Sequence, residues 1–268
     1  MGLTALRGPS EPTSSAEGRL RDVEVAPLHD REEAAISEKY GRGQQHVSRG
    51  KLPDSQRMER SRYIAIEGPI GAGKTTLASL LVSRFGGRLV AEPVEENPFL
   101  AGFYEDRRKH AFQTQLFFLL SRFQQQQGLF QQDLFSQVTI ADYLFAKDRI
   151  FAALNLDPNE LALYEQVYAL LGGRTVKPDL VIYLQARHEV LLQRIRRRAR
   201  DFERHLEPAY LETLSRAYND FFFHYDETPL LVVNTSDVDL AGSVADADAL
   251  VSVIRRHRKG TQHYNPAR

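Results

Sequence analysis

The stretch AIEGPIGAGKTTLAS, residues 65–79, decides the fold of this chain. An apolar run leads into a glycine-rich turn, and the turn leads into a helical pattern. Residues Gly68–Thr75 fit the pattern G-x-x-x-x-G-K-[S/T] without a mismatch. In a strand–turn–helix context that pattern is typical of a loop that holds phosphate groups. The sequence therefore predicts a nucleoside triphosphate site at the start of an α/β domain.

The residue types of this loop suit the chemistry of a triphosphate. Glycines let backbone N–H groups turn towards phosphate oxygens, and the start of the next helix adds about half a positive charge. We expect Lys74 to reach the β- and γ-phosphates and the Thr75 hydroxyl to bind Mg²⁺. The predicted ATP-binding residues are Gly68, Pro69, Ile70, Gly71, Ala72, Gly73, Lys74, Thr75 and Thr76.

Short apolar strands alternate with helical stretches from residue 62 onward. This alternation predicts a doubly wound parallel sheet of five strands flanked by helices. The predicted strands are Tyr63–Glu67, Arg88–Ala91, Val138–Ala141, Leu180–Leu184 and Leu230–Val233. The predicted helices are Thr75–Arg84, His110–Gln127, Tyr143–Ala153, Asn159–Leu171, Glu189–Arg200, Ala209–Tyr225 and Asp246–His257. The final GTQHYNPAR is expected to form a tail.

Composition sets limits on the class of protein. Residues 1–61 are rich in Gly, Pro, Ser and charge, which predicts a disordered extension before one domain over residues 62–268. The 35 basic and 35 acidic side chains cancel, and that balance disfavours a nucleic acid polymer as partner. The chain has no cysteine, which excludes disulfides and thiolate metal sites. With neither a long apolar run nor a secretory core, we expect a cytoplasmic protein without a membrane partner.

Two acidic residues follow buried strands, at the edge of the sheet where doubly wound folds bind ligands. Glu92, before the strand-stopping Pro93, is placed to take a proton from a hydroxyl that accepts phosphate. A solvated or helix-capping role is the alternative. Asp142 ends the third strand. In proteins with a phosphate loop of this kind, an acidic residue at this position commonly lies beside the ligands of Mg²⁺. The expected metal ligands are Thr75 and Asp142.

A cationic segment, RIRRRARDFERH, occupies residues 194–205. Arg194 and Arg198 share one row of the predicted helix, and Arg196 and Arg200 share another. The planar guanidinium group suits the charge on a phosphoryl group in transfer. An ordinary solvated cationic face is the alternative.

From residue 62 onward the chain resembles the deoxyribonucleoside kinases, and most closely the bacterial deoxyadenosine/deoxyguanosine kinase branch. The resemblance rests on several motifs in order: the phosphate loop, EPVEENPFL at residues 92–100, AFQTQLFFLLSR at 111–122 and DYLFAKDR at 142–149. It implies a P-loop kinase fold with an arginine-rich lid, and a homodimer. It also implies that the chain transfers the γ-phosphoryl group of Mg²⁺-bound ATP to the 5′-hydroxyl of a deoxyribonucleoside. The implied substrates are deoxyguanosine and deoxyadenosine, and the implied role is nucleotide salvage.

The same resemblance assigns roles to single residues. The implied catalytic residues are Glu92 as the general base and the lid arginines Arg194, Arg198 and Arg200. The implied substrate-binding residues are Glu92, Tyr104 and Glu203 near the sugar, and Gln115, Arg122 and Asp148 near the base. Stacking on the base is expected from among Phe99, Phe112, Phe117 and Phe118.

One position departs from the family motif. Tyr143 stands where the family usually has arginine, and Leu144 replaces the serine. Arg149 or a lid arginine is the expected replacement for the missing charge, although Asp148 and Arg149 are equally consistent with an exposed ion pair.

Two other functions are compatible with the phosphate loop. A nucleoside monophosphate kinase has the same loop but needs a second set of arginines for the acceptor phosphate. A regulatory nucleotide-binding protein without turnover is the alternative from a different class. The Glu-Pro-Val motif argues against the monophosphate kinase, whereas the N-terminal extension and Tyr143 keep the regulatory protein open.

Overall fold

The loop Gly68–Thr75 joins a buried strand to a helix, and the same alternation builds the rest of the domain. The computed structural model describes residues 62–132 and 138–266. Its strands are β1 Arg62–Glu67, β2 Arg88–Val90, β3 Val138–Ala141, β4 Leu180–Gln185, β5 Leu230–Asn234 and β6 Thr261–Tyr264. Its helices are α1 Lys74–Phe85, α2 Leu100–Glu105, α3 Arg107–Gln132, α4 Asp148–Asn155, α5 Pro158–Gly172, α6 His188–Arg198, α7 Pro208–Phe223 and α8 Val244–Arg256. The predicted extension, residues 1–61, lies outside the described residues.

The four central strands, β3, β1, β4 and β5, are buried on both faces, which explains their near-continuous apolar sequences. In β1, Tyr63 and Ala65 contact one layer, whereas Ile64 and Ile66 contact the other. The first layer comes mainly from α2, α3, α4, α5 and α7, and the second from α1, α6 and α8. The predicted α/β class with a parallel, helix-flanked sheet is confirmed.

The sheet has six described strands, so the predicted number of five is wrong. All pairs are parallel, and β6 pairs with β5 from Leu230 opposite Thr261 to Val233 opposite Tyr264. Residues 261–263 of β6 are exposed, and only Tyr264 is half-buried. This edge strand is joined to β5 by backbone hydrogen bonds and buries little apolar surface. Its sequence TQHY therefore lacks the alternation of apolar and polar residues by which a strand is predicted.

Near the site, the bounds of two helices differ from those predicted from the sequence. In place of one helix over Tyr143–Ala153, Leu144 is extended, residues 145–147 form one 3₁₀ turn, and α4 begins at Asp148. The Leu144 N–H donates to the buried Glu67 carboxylate (2.8 Å), and this bond holds the segment out of a helix. The helix predicted over Glu189–Arg200 ends at Arg198 because Ala199 has a left-handed backbone (φ 53°).

The strand order places the functional loops at one edge of the sheet. β1 lies between β3 and β4, β2 lies outside β3, and β5 and β6 continue beyond β4. The chain therefore builds outward from β1 in both directions, and ligands bind such sheets beyond the carboxyl ends of the strands where the direction reverses. The phosphate loop, Glu92 and Asp142 follow β1, β2 and β3 at this edge. Within residues 62–132 and 138–266, no helix is both long and apolar enough to cross a membrane.

Candidate functional site

The phosphate loop wraps around the start of α1. Its turn is closed by the Ala72 N–H, which donates to the Pro69 carbonyl oxygen (3.1 Å). Gly73 precedes the helix with a left-handed backbone (φ 101°). The Lys74 ammonium lies over the loop and donates to the carbonyl oxygens of Gly68 (2.6 Å) and Pro69 (3.2 Å). The loop therefore presents a cation and a helix N-terminus to the same space, which is the arrangement that binds phosphate.

Gly71 is a loop position with no room for a side chain. Its φ is +85°, and an added Cβ would lie 2.9 Å from the Leu191 carbonyl oxygen and 3.0 Å from Ile195 Cγ1. A left-handed backbone alone costs an alanine about 1–2 kcal/mol. We expect Gly71→Ala to weaken ATP binding about tenfold, since 1.4 kcal/mol corresponds to that factor. Titration calorimetry measures the binding, and an unchanged affinity would contradict the role of this turn.

A matched control for that substitution is available directly after α5. Gly173, which follows this helix, has an ordinary helical backbone (φ −65°). An added Cβ there has no neighbour within 4 Å. We expect Gly173→Ala to bind ATP normally.

Asp142 connects the phosphate loop to the loop after β2. Its Oδ2 accepts from the Thr75 hydroxyl (2.9 Å), and its Oδ1 accepts from the backbone N–H of Glu92 (2.7 Å). The aspartate is buried, so both contacts are shielded from water. The structure thus brings together Thr75 and Asp142, the two predicted metal ligands, and places Glu92 beside them.

The Glu92 carboxylate is held between two cations. Arg122 binds its Oε1 through two nitrogens, with Nε at 2.9 Å, and the Lys147 ammonium donates to its Oε2 (3.0 Å). Burial acts to raise the pKa of Glu92, but Lys147 and Arg122 outweigh it and lower the pKa well below the usual glutamate value. Glu92 is therefore ionised at neutral pH. The solvated or helix-capping alternative is excluded because the carboxylate is largely buried and bound to Arg122 and Lys147.

Arg122 also binds Asp148, so one guanidinium group joins two carboxylates. It lies over the Phe118 ring, with 4.8 Å from Cζ to the ring centroid. Gln115 donates to the Asp148 carbonyl oxygen (2.9 Å) and to its Oδ1 (2.7 Å). The Oδ2 of Asp148 is buried and has no hydrogen-bond partner among the described residues. The three residues predicted at the base therefore form one buried network, and Asp148 is not an exposed ion pair.

Tyr104 and Glu203 approach each other although 99 positions separate them. Tyr104 stacks on Phe202 (centroids 6.1 Å apart), and the buried Glu203 is paired with Arg198. Burial, followed by the charges of Tyr210 and Glu203, raises the pKa of Tyr104 far above its ordinary value. Tyr104 is therefore a neutral hydroxyl at physiological pH.

The predicted lid arginines differ in their surroundings. Arg194 donates to Thr235, through its carbonyl oxygen (2.7 Å) and hydroxyl (3.0 Å), and to the Ala72 carbonyl oxygen (3.4 Å). It therefore joins the phosphate loop to the loop after β5. Arg200 lies beyond the end of α6, 3.8 Å from Glu95. Arg198 and Arg200 contact the same cavity as Glu92, whereas Arg194 does not.

Two cavities meet at the phosphate loop. The larger, about 480 Å³, contains most of the predicted substrate residues: Glu92, Tyr104, Gln115, Arg122 and Glu203. Its aromatic lining includes Phe103, Phe118, Phe151 and Phe202. Of the four phenylalanines predicted to stack on a base, only Phe118 lines it. The smaller, about 330 Å³, is lined by Gly71, Ala72, Gly73, Thr76 and Arg194.

Two buried charged residues were not predicted from the sequence: Lys147, which lines the larger cavity, and Glu67, which lies next to Lys147. Glu67 ends β1 and is fully buried, with Gly68 N–H (2.8 Å) and the Tyr218 hydroxyl (3.0 Å) bound to its Oε1. Lys147 is also buried and lies in the 3₁₀ turn before α4. Arg149, which was expected to replace the arginine that is absent at position 143, is instead exposed and paired with Glu165 (2.9 Å). Glu67 could have been identified from the sequence as an acidic residue that ends a buried strand. Lys147 could not, because it lies in a segment that was predicted to be helical.

The known proteins to which this chain is similar are deoxynucleoside kinases. The family model described as deoxynucleoside kinase matches residues 64–258. Deoxyguanosine kinase of Bacillus subtilis (strain 168) is 42% identical over 184 residues, 68% of this chain and 89% of that protein. Deoxyadenosine kinase of Dictyostelium discoideum is 34% identical over 209 residues, 76% of this chain and 82% of that protein. A solved structure of M. mycoides deoxyadenosine kinase with products bound is 28% identical, with a TM-score of 0.62 over 72% of this chain and 98% of that one.

Proposed function

Because this chain belongs to the deoxynucleoside kinase family and is a kinase of deoxyribonucleosides, we propose that it phosphorylates the 5′-hydroxyl of deoxyguanosine and deoxyadenosine for nucleotide salvage. The observation that carries the proposal is Glu92, an ionised carboxylate fixed between the phosphate loop and the larger cavity. The names of the Bacillus and Dictyostelium relatives favour these two purine substrates.

In the proposed reaction the acceptor occupies the larger cavity and ATP enters from the smaller one. Glu92 accepts the proton of the 5′-hydroxyl as that oxygen bonds to the γ-phosphorus. The bond from the γ-phosphorus to the bridging oxygen breaks, and ADP leaves. Lys74 moves from its own loop carbonyls onto the phosphates, and Arg198 and Arg200 stabilise the equatorial oxygens. Tyr104 and Glu203 hold the sugar 3′-hydroxyl and so fix the distance between the two reacting atoms.

A purine base suits the buried network at the other end of the cavity. One carboxylate oxygen of Asp148 has no hydrogen-bond partner within residues 62–132 and 138–266, and Gln115 has both a donor and an acceptor on its amide. Arginine binds guanine through O6 and N7, and amide side chains bind adenine through N6 and N7. The network of Gln115, Arg122 and Asp148 therefore supports recognition of a purine edge.

Mg²⁺ fits the oxygen atoms beside the phosphate loop. The Thr75 hydroxyl and the Asp142 carboxylate are 2.9 Å apart, and such hard oxygen ligands, together with substrate phosphates, are what Mg²⁺ prefers. Among the described residues no group of three or more His, Cys, Asp and Glu side chains forms a dedicated metal cage. When bound there, Mg²⁺ would neutralise phosphate charge. We also propose a cytoplasmic homodimer, as the family resemblance implies.

The alternative of a nucleoside monophosphate kinase is less well supported. Its acceptor carries a phosphate that needs a second set of arginines, but Arg122 is already bound to the carboxylates of Glu92 and Asp148. The other arginines that line the larger cavity, Arg198 and Arg200, are those that the proposed reaction uses at the transferred phosphoryl group.

A phosphoryl-transfer assay tests the proposal. ATP and Mg²⁺ are offered with each of the four deoxynucleosides, the ribonucleosides and the nucleoside monophosphates. We expect turnover on deoxyguanosine or deoxyadenosine that is lost in Lys74→Ala. Turnover on monophosphates alone would replace the proposal with the rival kinase. ATP binding without turnover on any acceptor would favour a regulatory protein.

A further inference from the structure

Lys147 is a buried cation that has no role in the reaction proposed above. Its side chain is 3% exposed. The ammonium lies 3.0 Å from Glu92 Oε2 and 3.7 Å from Glu67 Oε2, and it contributes to the lining of the larger cavity. A lysine is rarely buried to this degree unless its charge is paired. Here it is paired with the carboxylate proposed as the base.

The turn that carries Lys147 is held in place by its own backbone hydrogen bond and by groups of two other elements. Its first carbonyl, at Leu144, accepts from the Lys147 N–H (3.1 Å). The Leu144 N–H is bound by Glu67 at the end of β1 (2.8 Å). Phe145 is buried and stacks on Tyr168 of α5 (centroids 5.4 Å apart). Contacts with β1 and with α5 therefore fix the turn, and the fixed turn limits the positions that the Lys147 ammonium group can take.

The backbone N–H and the two carboxylate oxygens of Glu92 are each bound by a group from a different part of the fold. Asp142 at the end of β3 binds its backbone N–H, Arg122 of α3 binds Oε1, and Lys147 binds Oε2. Arg122 alone constrains one oxygen and leaves the carboxylate free to turn about its last bond. With Lys147 present, both oxygens are constrained, and the plane of the carboxylate is set.

We propose that Lys147 is a positioning residue that orients the Glu92 carboxylate for proton removal and supplies the charge that Tyr143 lacks. The inference rests on the proposed role of Glu92. Tyr143 itself is fully buried and uncharged, so its side chain cannot perform this task. Glu67 serves as the second counter-ion, which keeps Lys147 charged and in place while Glu92 takes up a proton.

The test compares Lys147→Met with Lys147→Arg in steady-state kinetics. Because a misplacement of about 1 Å in a reacting group costs on the order of 100-fold, we expect kcat of Lys147→Met to fall about 100-fold. The KM values for deoxynucleoside and ATP are expected to stay within about threefold, since binding of the ground state is unaffected. Lys147→Arg, which keeps the cation, is expected to recover most of kcat. A loss confined to KM would overturn the proposal.

Kinetics at low temperature separate positioning from stability. Lys147→Met leaves two buried carboxylates short of a partner, and its melting temperature is expected to fall. Measured well below that melting temperature, where the variant is folded, kcat is expected to stay about 100-fold low. If kcat recovers once the variant is folded, Lys147 is only a structural counter-ion and the proposal is wrong.

Arg149→Met is the matched control, because Arg149 is two positions away and bound to the exposed Glu165. Its kcat is expected to equal that of the unmodified chain. Glu92→Gln, measured in parallel, tests the base itself: if it turns over normally, the role of Glu92 fails. If Glu92→Gln is inactive while Lys147→Met is normal, only the inference about Lys147 fails.

Discussion

Replacing Glu92 by glutamine is expected to lower kcat by about 1,000-fold, within the range by which general bases accelerate reactions. Glutamine keeps the shape of the side chain and an oxygen for Arg122, but it cannot accept a proton. Its amide group also meets the Lys147 ammonium as a second donor, so one contact is lost. ATP binding should persist, because Glu92 makes no side-chain bond to the phosphate loop and reaches it only through its backbone N–H and Asp142.

The measurement pairs steady-state kinetics with calorimetric titration of ATP. Glu105→Gln, at an exposed residue ending α2, removes the same charge outside the cavity. We expect it to turn over normally. Normal turnover in Glu92→Gln would show that another group takes the proton, and loss of ATP affinity would show that the carboxylate acts through the loop.

The parts of the fold that were predicted are those in which residue type and local structure agree. The phosphate loop is a contiguous motif, and β1, β3, β4 and β5 are apolar because helices cover both faces of the sheet. In contrast, β6 is polar and exposed, and its backbone pairing with β5 leaves no trace in residue type. Strand-end acids such as Glu92 and Asp142 were found because parallel strands bring their carboxyl ends to a common edge.

The site depends on distances that the sequence does not contain. Gln115 binds Asp148 across 33 positions, and only the family resemblance suggested that they meet. Lys147 was missed because its apolar neighbours predicted a continuous helix, on which it is one more polar residue. A tertiary contact, the bond from the Leu144 N–H to Glu67, overrides that local preference and turns Lys147 into the cavity.

Replacing Arg122 by methionine is expected to lower the free energy of unfolding by about 3–5 kcal/mol. Its side chain is 4% exposed and is bound to two carboxylates, Glu92 at 10% and Asp148 at 0% exposure. Methionine fills much of the volume but leaves both acids without this cation. Because Lys147 still binds Glu92, the larger part of the cost is expected to come from Asp148.

Urea unfolding measures this effect, with an unchanged slope required so that the midpoints report stability alone. Arg149→Met removes a guanidinium group that is 54% exposed and is expected to cost less than about 1 kcal/mol. Asp148→Asn in the Arg122→Met chain should restore part of the loss, because it removes the carboxylate left unpaired. An Arg122→Met chain as stable as the Arg149→Met control would mean that water reaches these carboxylates, and the buried network would not exist as the structure shows it.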